Sequence, residues 1–425
     1  MIKIFYGGCM LNKKESGAIE TKKVKRKRTP AEIFAILMAS SFTVYILFYI
    51  FYGQASFVDV FMLRTQDLFM DFFNSVRDAS QGAEVYTDRH VIYPPMANLI
   101  YLICSRFIPS AYNHSEWVNR LDWIKYTEAI FFIVLFTLFF VIILYSLFRE
   151  FIAGGKKSKL AFAFFAVFNV PVLYMLERGN MILFCFISLM IYAFTYNSEN
   201  KVYREIGLIA LAFAFSIKLY PVIFGWFLLV DKRFKEAIRC AVYGVLMLII
   251  PSFFFGGPAC FVEIFKNITS FSSGSSVNSI SVIAGYSGIP YAVWNALAYV
   301  WCFVCIACFA AAPFIHKEKW KLWMLGIIVI LVVPSLTSIY VWAFMLIPII
   351  LLSNSGNLKK KDWFFFAVMA SLFVFTILRF NFFLTFNSLL LYPVAAILSI
   401  TAVSDTVISG VRKYKAFAKA KKEAV

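Results

Sequence analysis

Apolar runs of about 20 residues recur along this chain, separated by short polar or basic connectors, and each is long enough for a helix across ~30 Å of hydrocarbon. The run at 31–52 is the first, and 160–176, 181–196 and 206–230 are others. Where water is absent, every backbone N–H and C=O must be satisfied inside the protein, which leaves helices and closed barrels. A lipid-facing barrel alternates apolar and polar residues along each strand, whereas these runs are continuous. Of the 425 residues, 61% are hydrophobic and 15% charged; soluble domains carry roughly a quarter charged. The expected class is all-α: a polytopic membrane protein of roughly 11–13 transmembrane or re-entrant helices.

The formal charge of +18 sits mostly in connectors: Lys22 to Arg28, Lys156 to Lys159, Asp231 to Lys235, His316 to Lys319, Lys359 to Lys361, and Arg412 to Lys422. Basic residues that flank spans orient helices and touch anionic lipid, so these connectors read as cytoplasmic, with membrane lipid and no nucleic acid as partner. The basic cluster before 31–52 leads into a long span without a cleavage pattern, which keeps the N-terminus inside. The expected organisation is a basic N-terminal segment at 1–30, a transmembrane domain at 31–405, and a cytoplasmic basic tail at 406–425. Both termini then face the cytoplasm of a multi-pass plasma-membrane protein. The remaining connectors fall outside, among them 53–92 and a Gly/Ser-rich loop at 256–289. Parity is kept in one of two ways: 92–108 only dips into the bilayer, or 206–230 is one span and not a hairpin bent at Tyr220-Pro221; proline removes a backbone donor and favours the dip with the hairpin.

Against this basic background Asp59, Asp67, Asp71, Asp78, Glu84 and Asp88 crowd into the first external connector. From Asp67 to Asp78 the apolar residues Leu68, Phe72, Phe73 and Val76 recur at helical spacing. That pattern predicts an amphipathic helix lying on the outer membrane surface, with Asp67, Asp71, Asn74 and Asp78 on one side. A carboxylate near the membrane plane can take a proton from a substrate hydroxyl. Its complement is a pair of cations that a bilayer should exclude. Arg178 stands between 160–176 and 181–196, and Lys218 stands within 206–230. Each would cost several kcal/mol in hydrocarbon unless it faced water or an anion. Arg178 could instead pair with Glu177, and Lys218 could reach an interface. Gly179 and Asn180 supply a turn and a helix start where an anion can meet free N–H groups. Two cations at the external ends of adjacent spans point to a phosphate site.

The ordered series Asp71-Phe72, Gly82, Tyr86, Tyr93-Pro94-Pro95, Glu177-Arg178-Gly179-Asn180 and Lys218-Leu219-Tyr220-Pro221 resembles glycosyltransferase family 87, of the GT-C superfamily of membrane sugar transferases. The resemblance covers roughly 30–355. It implies a hexosyltransferase, mannosyltransferase-like, that uses a polyprenyl-phosphate sugar as donor and a glycan or glycolipid as acceptor. Asp71 would be the external-loop base, with Arg178 and Lys218 on the donor phosphate and no cofactor or metal required. Asp67, His90, Tyr93, Asn180, Tyr220, Asn278 and Tyr340 are the weaker substrate-binding candidates. Family members carry a histidine in a late Ser/Pro turn; this chain has Tyr340 there, which leaves His90 as a substitute. Cys302, Cys305 and Cys308 share a helix face, but no clustered His or acid accompanies them, and small soft side chains pack well between helices. A transporter or flippase of a lipid-linked or anionic solute, and a lipid-linked glycan ligase or polymerase, remain alternatives. The first would use the same cations without needing an external base.

Overall fold

The computed structural model describes residues 28–52, 69–108, 126–274, 287–332, 339–356, 358–375 and 386–423. Among these residues every regular element is a helix. The first half contains α1 (Pro30–Tyr52), α2 (Met70–Ser80), α3 (Glu84–Thr87), α4 (Pro95–Ser105), α5 (Thr127–Phe151), α6 (Lys156–Val167), α7 (Val170–Arg178), α8 (Ile182–Thr195) and α9 (Lys201–Ile217). A 3₁₀ turn over Tyr220–Gly225 leads into α10 (Trp226–Val230), followed by α11 (Phe234–Ser252), α12 (Cys260–Gly274), α13 (Tyr291–Ile315) and α14 (Lys319–Val332). A second 3₁₀ segment, Ile339–Met345, precedes α15 (Leu346–Ser353), α16 (Lys360–Ser371) and α17 (Phe386–Glu423).

Helix starts follow local chemistry. Thr29-Pro30-Ala31-Glu32 forms a capping box: the Glu32 amide donates to Thr29 Oγ1 at 3.3 Å and the Thr29 amide donates to Glu32 Oε2 at 2.9 Å, so orphan donors at the head of α1 are satisfied reciprocally. Between α6 and α7 the chain bends by 52°. Asn169 fills the break, donating to the carbonyls of Phe165 and Ala166 and accepting from Val172 N–H, which satisfies backbone groups that the kink frees.

Among the described residues five helices are long and apolar enough to cross a membrane, or six where the bent pair of α6 and α7 is counted as one span. Shorter apolar helices fill the interior, Pro95–Ser105 and Tyr220–Val230 among them. The 11 residues of α4 rise only about 16 Å, about half the thickness of the hydrocarbon layer. At the other suspected break α9 stops at Ile217, Lys218 is extended, and the chain turns through Pro221 into the 3₁₀ segment. The freed Phe224 carbonyl accepts from Tyr192 Oη at 3.1 Å. The bend at Tyr220-Pro221 brings Arg233, beyond the hairpin, back to Asn197, which precedes α9.

Two ends of the bundle are thereby defined. At one, Asn354 joins α15 to the end of α5, donating to the Phe151 carbonyl at 2.7 Å and accepting from Ala153 N–H at 2.8 Å. Arg233 reaches Asn197 there, and buried Asp405 pairs with Lys321 and Lys361. The described basic connectors lie at this end, and the chain alternates between it and the end that carries Asp71. Between the ends the core is aromatic. Phe224 stacks on Trp323 with centroids 4.4 Å apart, against Phe309 and Phe227. Dispersion among such close-packed rings, with little help from water exclusion, holds helices together in lipid.

Two expectations change. Helix α2 does not rest its apolar face on a membrane surface. Phe72 and Phe73 are fully buried in the protein, with Phe72 against Tyr101, Phe132 and Phe136. The periodicity suits either partner; aromatic residues of α4 and α5 supply the protein one. Within 256–289, residues 260–274 form α12 rather than loop. Gly and Ser favour the loop reading, but Cys260, Phe261, Ile264 and Ile268 pack on Val85 and Tyr86. Asn267 of that helix is buried and donates to the carbonyls of Tyr86 and Val91, which ties α12 to the segment around Tyr86. Cys302 donates to the Val332 carbonyl, and Cys305 and Cys308 are buried in the apolar core.

Candidate active site

The site begins with a close approach of two backbones. Helix α7 ends at Arg178, Gly179 takes a left-handed conformation with φ of 59°, and Asn180 leads into α8. The turn lies against the first residues of α2, where Phe69 N–H donates to the Glu177 carbonyl at 2.8 Å. A Cβ on Gly179 would stand 2.7 Å from Phe69 Cδ1 and 2.8 Å from Phe72 Cβ, distances real side chains do not tolerate. Because glycine sits there, Asp71 reaches the turn. Its Oδ1 pairs with the Arg178 guanidinium, and its Oδ2 accepts from Asn180 Nδ2 at 2.9 Å.

Asn180 is buried and fully used. Its Oδ1 accepts from Ile182 N–H at 3.0 Å in an Asx turn ahead of α8, while Nδ2 also reaches Tyr93 Oη at 3.2 Å. The Tyr93 ring in turn carries Lys218, whose ammonium lies 4.1 Å from the ring centroid. Among the described residues no carboxylate pairs with Lys218. A desolvated cation over an aromatic face is worth up to about 2 kcal/mol, less than an anion would give it, so Lys218 is held ready. Tyr340 stacks on Tyr174 with centroids 5.9 Å apart, and Tyr220 leans on Phe344. The Tyr220 hydroxyl is buried beside the Cys185 thiol without a hydrogen bond of ordinary geometry. Carboxylate, guanidinium, ammonium and tyrosine faces thus converge at one end of the bundle. Such a set can hold an anion, accept a hydroxyl proton and stack a sugar ring.

A family model for glycosyltransferase family 87 matches residues 92–338, more than half of the chain. The chain belongs to glycosyltransferase family 87. Neither a curated protein nor a solved structure matches it. The matched stretch contains Tyr93, Arg178, Asn180, Lys218 and Tyr220; Asp71 and Tyr340 lie outside it and are joined to it by the contacts above. Membership makes the protein a membrane glycosyltransferase.

Of the residues singled out in the sequence, this family-87 transferase brings together Asp71, Tyr93, Arg178, Asn180 and Lys218 through direct contacts. Asp67 and Asn278 lie outside the described residues. His90 is exposed in a left-handed turn with φ of 51° and makes no hydrogen bond to the cluster. Asp78 shares a helix with Asp71 but pairs with Arg77 at 2.8 Å, and burial holds its carboxyl above the usual range against that cation's pull.

Behind the cluster lie Asn98 and Tyr101, which motif reading passed over. Asn98, nearly inaccessible within apolar α4, donates to Tyr86 Oη at 2.8 Å, and Tyr86 Oη donates to the Tyr93 carbonyl at 3.1 Å. Tyr101 Oη accepts from Met181 N–H at 3.3 Å. The detectable signal was a lone amide in an apolar run, since buried polar groups are retained when bonded. Burial pushes the Tyr86 phenol above its usual value, so it remains a donor at neutral pH. Tyr86→Phe removes the hydroxyl from both bonds, leaving only the longer bond from Asn98 Nδ2 to the Tyr93 carbonyl at 3.4 Å. We expect a loss of about 1–2 kcal/mol, read as a lower midpoint of thermal unfolding in detergent; an unchanged midpoint refutes the role.

Proposed function

We propose that this transferase moves a hexose, of the mannose type, from a polyprenyl-phosphate donor to a glycan or glycolipid acceptor on the extracytoplasmic face of the plasma membrane. The observation that carries the reading is the meeting of Asp71, Arg178 and Lys218 at a single end of the bundle. That end lies opposite the described basic connectors, and under the positive-inside rule it faces away from the cytoplasm. Both termini are then cytoplasmic.

In this mechanism Lys218 and Arg178 bind the donor phosphate, and Tyr93, Tyr220 and Tyr340 offer ring faces to sugar and tail. Asn180 holds the base in place. The acceptor oxygen attacks the anomeric carbon and yields its proton to an Asp71 oxygen. The bond from that carbon to the phosphate oxygen breaks, and its electron pair leaves with the lipid phosphate. One displacement inverts the anomeric configuration. Charge grows on the phosphate as the bond breaks, so cations fixed beside it stabilise the transition state more than the ground state.

The test is transfer from polyprenyl-phosphate mannose, labelled in the sugar, by membranes that contain the protein. Lys218→Ala is expected to raise the KM for donor at least about tenfold, one lost charge-assisted contact being worth about 1.5–3 kcal/mol. Arg178→Ala should do the same while also loosening Asp71. Unchanged donor kinetics in both variants would remove the phosphate assignment, and absence of labelled product with wild type would exclude this donor.

A further inference from the structure

One side chain is asked to serve two anions. Arg178 is the ion-pair partner of Asp71, and in the proposed function it is also half of the clamp on the donor phosphate. Lys218 differs from it: it rests on the Tyr93 ring and pairs with no carboxylate among the described residues. One cation is therefore ready and the other engaged. Both Asp71 oxygens accept hydrogen bonds, Oδ1 from Arg178 and Oδ2 from Asn180. The pair is only partly exposed, with side-chain accessibilities of 18% and 20%, so competition for the guanidinium is weakly screened by salt.

We propose that Arg178 is a latch on the base: it holds Asp71 until the donor phosphate draws it away, so that the donor binds first and deprotonation of the acceptor waits for it. This rests on the assignment of the cluster as a lipid-phosphate sugar site. Lys218 makes the first contact with the phosphate. Arg178 then swings from carboxylate to phosphate, and one Asp71 oxygen becomes open to the acceptor hydroxyl, with Asn180 still fixing the other. The donor is a phosphodiester of one negative charge, whereas the leaving lipid monophosphate approaches two near neutral pH. Its hold on Arg178 thus strengthens as the bond breaks. When the lipid phosphate departs and Asp71 has released its proton, the guanidinium returns and the site closes on itself. An acceptor that arrives first meets a carboxylate already neutralised, which protects the base from unproductive engagement.

Competition is reciprocal: a carboxylate that weakens phosphate binding through a shared cation must, when its charge is removed, strengthen it by the same coupling. Binding of undecaprenyl monophosphate to the purified protein in detergent reads this without catalysis. Asp71→Asn keeps shape and removes charge, and it should bind the lipid about tenfold more tightly than wild type. Asp71→Ser, too short to reach Arg178, should do likewise and guards against a local defect of the first variant. Lys218→Ala and Arg178→Ala should each weaken binding. Equal or weaker binding by both Asp71 variants, with the dependence on Lys218 intact, overturns the latch and leaves the phosphate site standing. Failure of wild type and every variant to bind the lipid overturns the site assignment together with the latch.

Discussion

Asp71→Asn is expected to reduce sugar transfer by about 10²–10⁴-fold, the usual contribution of a positioned general base, while the protein inserts and folds as before. The substitution is nearly isosteric. The amide oxygen can still accept from Arg178 or Asn180, so the contact between α2 and the 178–180 turn survives in weaker form. The site loses only a group able to take the acceptor proton. The decisive pattern has two halves: turnover collapses, and monodisperse protein of wild-type thermal midpoint is still recovered from membranes. Transfer at the wild-type rate would exclude Asp71 as base. Collapse of the midpoint along with the rate would show that the carboxylate acts as structure, since buried or half-buried charges left without a partner cost several kcal/mol, and here Arg178 would be the charge abandoned. Paired with the lipid-binding prediction, the same variant should turn over more slowly and hold donor lipid more firmly, a combination that simple disruption of the pocket does not produce.

How much of this was legible in the sequence follows from which interactions are local. Continuous apolar runs fix helices without alternatives, because hydrocarbon offers the backbone no other partner. Proline at 221 marks the bend after α9 in the same local way. The capping box at Thr29 and the Asx start at Asn180 are likewise written in short windows. Arg178 and Lys218 stood out because an unpaired cation is costly in a bilayer. What could not be read is who meets whom. The sequence places Glu177 next to Arg178, yet the ion pair forms with Asp71, 107 positions away. Helix α2 has an apolar stripe that suits a membrane surface as well as a protein groove; the choice depends on Tyr101, Phe132 and Phe136, contributed by two other helices. Gly and Ser in 256–289 suggested a connector, whereas the apolar spacing that packs α12 on Tyr86 is just as visible once its partner is known. Asn98 could be flagged as odd, but its role depends on a carbonyl at Tyr93 that no spacing predicts.

Gly179 is where these long-range choices are most exposed to a single methyl group, and Gly179→Ala is expected to destabilise the protein by on the order of 2–5 kcal/mol and to cut transfer about 10²-fold, the effect of a displacement near 1 Å at a reacting centre. Two separate costs add. The left-handed conformation at φ of 59° is strained for any L-residue with a side chain. The new Cβ would also meet Phe69 Cδ1 at 2.7 Å and Phe72 Cβ at 2.8 Å. The first is the edge of a ring that can shift; the second is fixed to the backbone of α2, so relief requires the helix itself to retreat. Asp71 is one residue before Phe72 and would move with it, away from Arg178 and Asn180. A matched control separates the two costs. Gly82 has φ of 61°, and a Cβ added there would meet nothing within 4 Å, so Gly82→Ala carries the conformational penalty alone. That variant should lose about 1–2 kcal/mol and keep most of its transfer. If thermal midpoints and rates of the two variants fall together, the approach of α2 to the 178–180 turn does not set the geometry of the site; if only Gly179→Ala loses activity, that approach is what holds the base to its cations.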